Sequence, residues 1–323
     1  MLKASIIITA FNSGNDLLNC ILALERQTRK DFEVIIVNND ICSISMEIQL
    51  KSSERLKIIN PQMNTGFSGG SNIGAKGSTS EWIITLNPDA CPHDDWFFNL
   101  MRGADNNPNF NMLSSSLISA NFPYKLDGVG DHYSIFGIPW RMGQGKNIAL
   151  LPNRNRCVLA PCGAAAAYRR RVFEKNCGFD EEYFCYLEDL DLALRFQSQG
   201  HRCIHVADAK VNHIGGSSTG VNSAFQLYYS HRNQVRLMTK LTPNLILFFQ
   251  IPLFIITQLY LLTRNYNCLN MSSRIKGLKD GFLSIPKNIS VRRQTQAQRK
   301  ISTFEYAKLI SWSIRSVSDK SII

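Results

Sequence analysis

Acidic residues nearly vanish from the end of this chain. Residues 221–323 hold 15 Lys and Arg but only 3 Asp and Glu, whereas residues 1–220 hold 21 and 22. The formal charge of +11 therefore belongs to the last hundred positions. Solvated helix faces account for scattered Lys and Arg, but a block of one sign also suits an anionic surface, either lipid or nucleic acid. Nucleic acid is disfavoured, because the basic segment carries no aromatic-interleaved recognition module. The nine cysteines show no CxxC pair and no regular framework, and an odd number cannot all pair within one chain. They read as reduced thiols of a cytoplasmic protein. The apolar run in MLKASIIITAFNS is too short for a signal peptide and leads straight into a strand. There is no internal repeat, no low-complexity tract and no GxGxxG fingerprint.

What is present is an α/β pattern. With 323 residues, 44% of them hydrophobic, the chain can bury a sizeable core. Ser5–Thr9 and Glu33–Val37 are β-branched runs that flank a stretch, Asp16–Gln27, with apolar residues at helical spacing. Leu56–Ile59, a glycine-rich helix start (Gly66–Lys76) and Trp82–Leu86 continue the alternation. Strands this apolar imply a mostly parallel sheet buried on both faces, whose ligands lie beyond its carboxyl edge. The pattern weakens from Pro92 to Pro161, where long loops are expected, and a long loop in a compact domain is often a binding loop or lid. It resumes with strand and helix in GAAAAYRRRVFEK, a helix that ends at Gly200 and a strand Arg202–Val206. A boundary is expected near 220: an α/β unit over 1–220, then a basic, partly apolar helical extension over 221–323.

Four segments carry candidate chemistry. In LNPDA, Asp89 follows a buried strand and could hold a hard cation such as Mg²⁺ or Mn²⁺, although Asn-Pro-Asp is also good turn chemistry. The glycines of NTGFSGGSNIG (Asn64–Gly74) could bring backbone N–H groups to a phosphate, or could simply make a tight strand-to-helix turn. In CYLEDLDLALRF the first-turn carboxylates Glu188, Asp189 and Asp191 complement the helix dipole, and Asp191 can pair with Arg195 four residues on. His213 in VNHIGGSST follows a strand, from which an imidazole could join Asp89 on a cation.

Taken in order, SIIITAFN, VIIVNND, NTGFSGGSNIG, LNPDA, GAAAAYRRRVF, GFDEEYFCYLEDLDLALR and VNHIGGSST resemble the family 2 glycosyltransferases, in particular their bacterial polysaccharide and rhamnosyltransferase-like branch. The likeness covers residues 3–220 and continues loosely through YYSHRNQVRL, Tyr228–Leu237. It implies a GT-A fold, with a Rossmann-like sheet that binds a nucleotide-sugar and a divalent cation, Mn²⁺ or Mg²⁺. Asn87-Pro88-Asp89 then stands where relatives carry a DxD-type motif, with Asp89 and His213 as metal ligands. Asp189 matches the catalytic base, supported by Glu188 and Asp191. Thr9, Phe11 and Asn12 match the strand end that touches the nucleotide, and Asn64, Gly66, Phe67, Asn72 and Asn87 are further donor contacts. Asn38 stands where relatives carry an Asp that recognises the base, and its amide can both donate and accept.

The resemblance implies inverting transfer of a sugar, rhamnose from dTDP-rhamnose in the first instance, to a hydroxyl of a polyprenyl-diphosphate-linked surface glycan. The rival reading is a non-catalytic nucleotide-sugar-binding or scaffolding subunit. LILFFQIPLFIITQLYLL (Leu245–Leu262) has no charge, and Arg236, Lys240, Arg264, Arg274, Lys276 and Lys279 flank it. A buried helix, a membrane span and an interfacial helix are all compatible with its length. Basic flanks favour peripheral attachment to the anionic inner face of the plasma membrane.

Overall fold

The computed structural model describes residues 2–40, 55–216, 220, 222–264 and 268–322. Positions 217–219 of the VNHIGGSST segment lie outside them.

The first half builds the expected parallel core. β1 (Ala4–Ala10) pairs in parallel with β2 (Phe32–Asn38) and β4 (Trp82–Leu86), and β2 with β3 (Leu56–Ile59). Alternate residues serve opposite faces: Ile6, Ile8, Ile36 and Ile84 join one hydrophobic core, and Ile7, Ile35, Val37 and Ile83 the other. Helix α1 (Gly14–Glu25) buries Leu17, Cys20, Ile21 and Leu24. Helix α2 (Gly66–Ala75) lies so close to β1 that a Cβ on Gly74 would stand 2.5 Å from Ile7 Cγ2. A glycine there lets helix and sheet touch.

The stretch 92–161 departs from the expected loops. It contains α3 (Trp96–Asn106) and the ten-residue β6 (Phe110–Ser119), which lies in the middle of the sheet. β6 is hard to read as a buried strand because its centre is Ser114-Ser115-Ser116. Each hydroxyl has a tertiary partner: Ser114 donates to the Val129 carbonyl, Ser115 accepts from Trp96 Nε1, and Ser116 meets His205 and donates to the Ala207 carbonyl. Buried hydroxyls are tolerated when hydrogen-bonded, and the partners come from distant segments. β5 (Ala90–Pro92), β7 (Leu126–Gly128), β10 (Arg156–Val158) and the hairpin of β8 (Asp131–Tyr133) with β9 (Pro139–Arg141) complete this region.

Antiparallel β11 (Ala165–Arg169) joins the halves, and β12 runs from Arg202 to His213, past Val206, with a register break between Val206 and Lys210. The order is β10-β12-β6-β11-β4-β1-β2-β3, with β5 on β12 and β7 on β6. Short α4 (Arg170–Lys175) follows β11, and α5 (Glu188–Ser198) precedes β12.

The C-terminal helices are α6 (Ala224–Leu241), α7 (Asn244–Arg264), α8 (Cys268–Leu283), α9 (Ile285–Gln298), α10 (Thr303–Leu309) and α11 (Ile314–Ser318). They pack on the α/β unit. Ser311 exchanges backbone hydrogen bonds with Tyr133 and Ile135, and Lys300 and Ile301 donate to the Ser198 carbonyl. Arg236 and Lys240, expected to face a lipid leaflet, are instead buried: Arg236 binds Asp180, and Lys240 binds both Asp180 and Asp191 at 2.7 Å. An amphipathic helix whose cations find carboxylates in the core spends them there and leaves the surface charge to others.

α7 is long and apolar enough to cross a membrane, but its two sides differ. Ile246, Gln250, Phe254 and Gln258, at four-residue spacing, are buried. Gln250 accepts from Thr242 and donates to Tyr133 and Ser134, and Gln258 donates to Gln234. Leu245, Phe248, Phe249, Ile255, Ile256 and Leu259 are exposed.

Candidate active site

A cavity of about 670 Å³ opens at the carboxyl ends of the strands. Thr9 lies near the end of β1 and Phe11 just past it, Asn39 follows β2, Asn64 precedes α2 and Gly66 and Phe67 start it, and Asn87, Pro88 and Asp89 follow β4. His213 closes β12, Asp127, Arg141 and Gln144 come from the weakly patterned stretch, and Phe184, Cys185, Tyr186, Phe225 and Gln226 form the remaining wall.

One side brings Asp89 and His213 together. His213 Nε2 is 3.3 Å from Asp89 Oδ1 and 3.3 Å from the Asn87 amide, while Nδ1 lies 2.8 Å from Asp127 Oδ2. Asp89 also accepts from Gly215 N at 3.0 Å. Burial opposes a charge on this imidazole, but the hydrogen bonds to Asp127 and Asp89 prevail and raise its pKa to about 9. The donor set fits a divalent cation that displaces the Nε2 proton now facing Asp89. A carboxylate and an imidazole nitrogen face one another, and the other ring nitrogen is fixed by a second carboxylate, the usual orienting arrangement for a metal-bound histidine. Asp127 was not legible as part of the site. Only the antiparallel pairing of β7 with β6 carries it under His213.

Asp189 does not line the cavity; it lies beside two residues that do, Phe67 and Arg141. Its carboxylate accepts from Gly163 N and Leu190 N, each at 2.8 Å. Burial raises its pKa, and those two backbone bonds work against the rise. Asp131 and Cys162 place ligand atoms within 4.8 Å of it. Burial likewise pushes Asp131 up, to about 7, and Cys162 well above the ordinary thiol value. Positive charge already reaches this group through Arg141, which pairs with Asp127 at 2.7 Å and lies 3.5 Å from Asp131. Arg141, in the cavity wall, thus stands between Asp127 and the Asp189 group, with its side chain only one-quarter exposed.

Several expected residues do other things. Asn38 donates to Asn60 at the sheet edge, and its neighbour Asn39 lines the cavity instead, because successive strand residues face opposite ways. Asn39 spends its own amide on Gly66 and Thr65. Asn12, in a left-handed conformation at φ 48°, donates its backbone N–H to Asp40 and does not line the cavity. Asn72 holds the backbone of Phe179 through both ends of its amide. Asp191 faces the core, not the cavity: it accepts from Arg195 at 2.8 Å, as its spacing implies, and from Tyr183 and Lys240. Glu188 is buried with one carboxylate oxygen unpartnered, and burial followed by repulsion from Asp189 raises its pKa well above the ordinary value.

Gly66 adopts φ +68°, and a Cβ there would fall on the carbonyl oxygen of Phe184, which also accepts from Ser68 N. Gly66→Ala is expected to destabilise the chain by about 1–3 kcal/mol, as a side chain in the left-handed region costs. Urea unfolding checks this, and an unchanged midpoint would refute the contact.

Residues 5–177, more than half of the chain, match the glycosyl transferase family 2. The chain belongs to that family. The N-acetylglucosaminyl-diphospho-decaprenol L-rhamnosyltransferase of Mycobacterium tuberculosis is 38% identical over 71 residues, 22% of this chain and 23% of that protein. The amylovoran biosynthesis glycosyltransferase AmsB of Erwinia amylovora is 21% identical over 253 residues, covering 70% and 75% of the two chains. The matches span 42% and 23% of the first curated relatives' length. The crystal structure of GalNAc-T7 with UDP, GalNAc and Mn²⁺ superposes with a TM-score of 0.63 over 90% of this chain and 57% of its own, at 14% identity, which shows that this family 2 chain has the GT-A fold.

Proposed function

We propose that this family 2 chain is an inverting glycosyltransferase of bacterial surface-polysaccharide assembly. The observation that carries the reading is a cavity with Asp89 and His213 in its wall, and Asp189, fixed by two backbone N–H groups, just behind the lining residues Arg141 and Phe67. A cation held by Asp89 and His213 would neutralise the departing nucleoside diphosphate. Asp189 is the base that takes the proton of the attacking acceptor hydroxyl, and a single displacement opposite the leaving group inverts the anomeric centre. Thr9, Phe11, Asn64, Gly66, Phe67 and Asn87 are the donor contacts.

The first-choice donor is dTDP-rhamnose and the acceptor a polyprenyl-diphosphate-linked glycan, a reading supported by the mycobacterial relative, an N-acetylglucosaminyl-diphospho-decaprenol L-rhamnosyltransferase. A panel of nucleotide-sugars with Mn²⁺, read by release of nucleoside diphosphate in the presence of lipid extract, tests it. Turnover of dTDP-rhamnose is the expected result. Binding of a nucleotide-sugar with no transfer to any acceptor would favour the non-catalytic reading.

The acceptor calls for a place at the cytoplasmic face of the plasma membrane. Attachment by the outer side of α7 is supported by its exposed apolar residues and by the polar bonds that tie Gln250 and Gln258 to the domain. The exposed Lys276, Lys279 and Lys287 supply charge for an anionic leaflet. Replacing both Phe248 and Ile256 by Glu is expected to weaken binding to phosphatidylglycerol vesicles at least tenfold, since burying one such side chain is worth about 1.5–3 kcal/mol. Co-sedimentation unchanged by the double replacement would rule out this face.

A further inference from the structure

The turn that leads into α5 is strained and is held from outside the family-matched segment. Phe184, Tyr186 and Leu187 have φ of 63°, 70° and 68°, left-handed values that non-glycine residues seldom adopt, and Leu187 is the residue on which α5 begins. Such a backbone persists only where its surroundings over-determine it. The surroundings here are one side of α6. Asn233 is fully buried, and its Nδ2 lies 3.0, 2.9 and 2.8 Å from the carbonyl oxygens of Tyr183, Cys185 and Tyr186. Arg232 donates through Nε to Asn233 Oδ1 at 3.0 Å, which fixes which end of the amide meets the carbonyls, and through NH2 to the carbonyls of Glu182 and Tyr183. Tyr229 stacks on Phe184 with ring centroids 5.2 Å apart.

The geometry points to Asn233, oriented by Arg232, as a positioning residue for Asp189. By gathering the carbonyls of Tyr183, Cys185 and Tyr186, it sets where α5 starts and so where the Asp189 carboxylate stands. The C-terminal extension thereby completes the active site. This inference rests on the reading of Asp189 as the base.

The test uses the full chain and separates turnover from nucleotide binding. For Asn233→Ala, kcat is expected to fall about 100-fold, the scale of a base displaced by about 1 Å. Affinity for UDP or dTDP with Mn²⁺, whichever the unaltered chain binds, is expected to stay within about threefold, because Thr9, Phe11, Asn64, Gly66, Phe67 and Asn87 stand on elements to which Asn233 donates no hydrogen bond. A folded Asn233→Ala chain with unchanged kcat, or one that loses kcat and nucleotide affinity in the same proportion, overturns the inference. If that chain does not fold, Arg232→Lys decides, because it removes the Nε bond to the amide while keeping the charge. Reduced kcat with retained nucleotide affinity supports positioning, and unchanged kcat refutes it. Asp189→Asn measured alongside keeps the two claims apart. Full turnover in Asp189→Asn removes the base itself, whereas a dead Asp189→Asn with a fully active Asn233→Ala removes only the positioning role.

Discussion

Asp189→Asn is expected to lower kcat for sugar transfer by about 10²–10⁴-fold, the usual contribution of a positioned base. The replacement keeps the shape and one of the two backbone bonds, because Gly163 N donates to Oδ2 and Leu190 N to Oδ1 while an amide offers one acceptor oxygen; Asp189 does not line the cavity, so the cavity should persist. Nucleoside diphosphate binding should therefore be nearly unchanged, and calorimetry with Mn²⁺ present measures it. The pH profile carries a second signature. Burial raises the Asp189 pKa, and a base works only when deprotonated, so wild-type kcat should decline as pH falls through a value above the ordinary carboxylate pKa of about 3.9. An asparagine has no such proton to lose, so the residual activity of the variant should lack the acid limb. Undiminished turnover would sink the assignment of Asp189.

Asp191→Ala is expected to have the largest effect on stability, a loss of about 3–5 kcal/mol, because removing one member of a buried ion network strands the others. Asp191 is wholly buried, and both its oxygens are used: Oδ2 by Arg195, Oδ1 by Lys240 and Tyr183. Lys240 would keep Asp180, so the unmet charge would fall mainly on Arg195, which still reaches the carbonyls of Asn176 and Gly178. Chemical denaturation of the full chain measures the loss, with nucleotide binding as a check on residual fold. A variant as stable as the parent would mean that solvent reaches this network and that its burial is not what ties α6 to α5.

The two predictions separate carboxylates that the sequence sets two positions apart. In CYLEDLDLALRF the spacing to Arg195 marks Asp191 as one half of a helix pair, and that pair forms. Nothing in the spacing says that Lys240, nearly fifty residues later, reaches the same carboxylate. Asn38 and Asn39 make the same point at the sheet edge. Adjacent letters cannot tell which side chain faces the cavity; just past β2, where Asn39 N donates to the Ala10 carbonyl, it is Asn39 that lines it. The serine-rich β6 reads as polar loop because its hydroxyl partners lie 15 to 91 positions away.

The sequence by itself determined the parallel core, the succession of its strands along the chain up to β4, and the placing of Asp89 and His213 at strand ends and Asp189 in a first helical turn, because hydrophobic periodicity and motif order are local properties of the chain. Tertiary structure alone decided the company these residues keep. Asp127 under His213, Arg141 between the two carboxylate groups, and Asn233 on the turn before α5 come from segments tens of residues away. Hydrogen bonds and ion pairs of a buried site are satisfied through space, and a linear pattern carries no record of which distant partner will supply them.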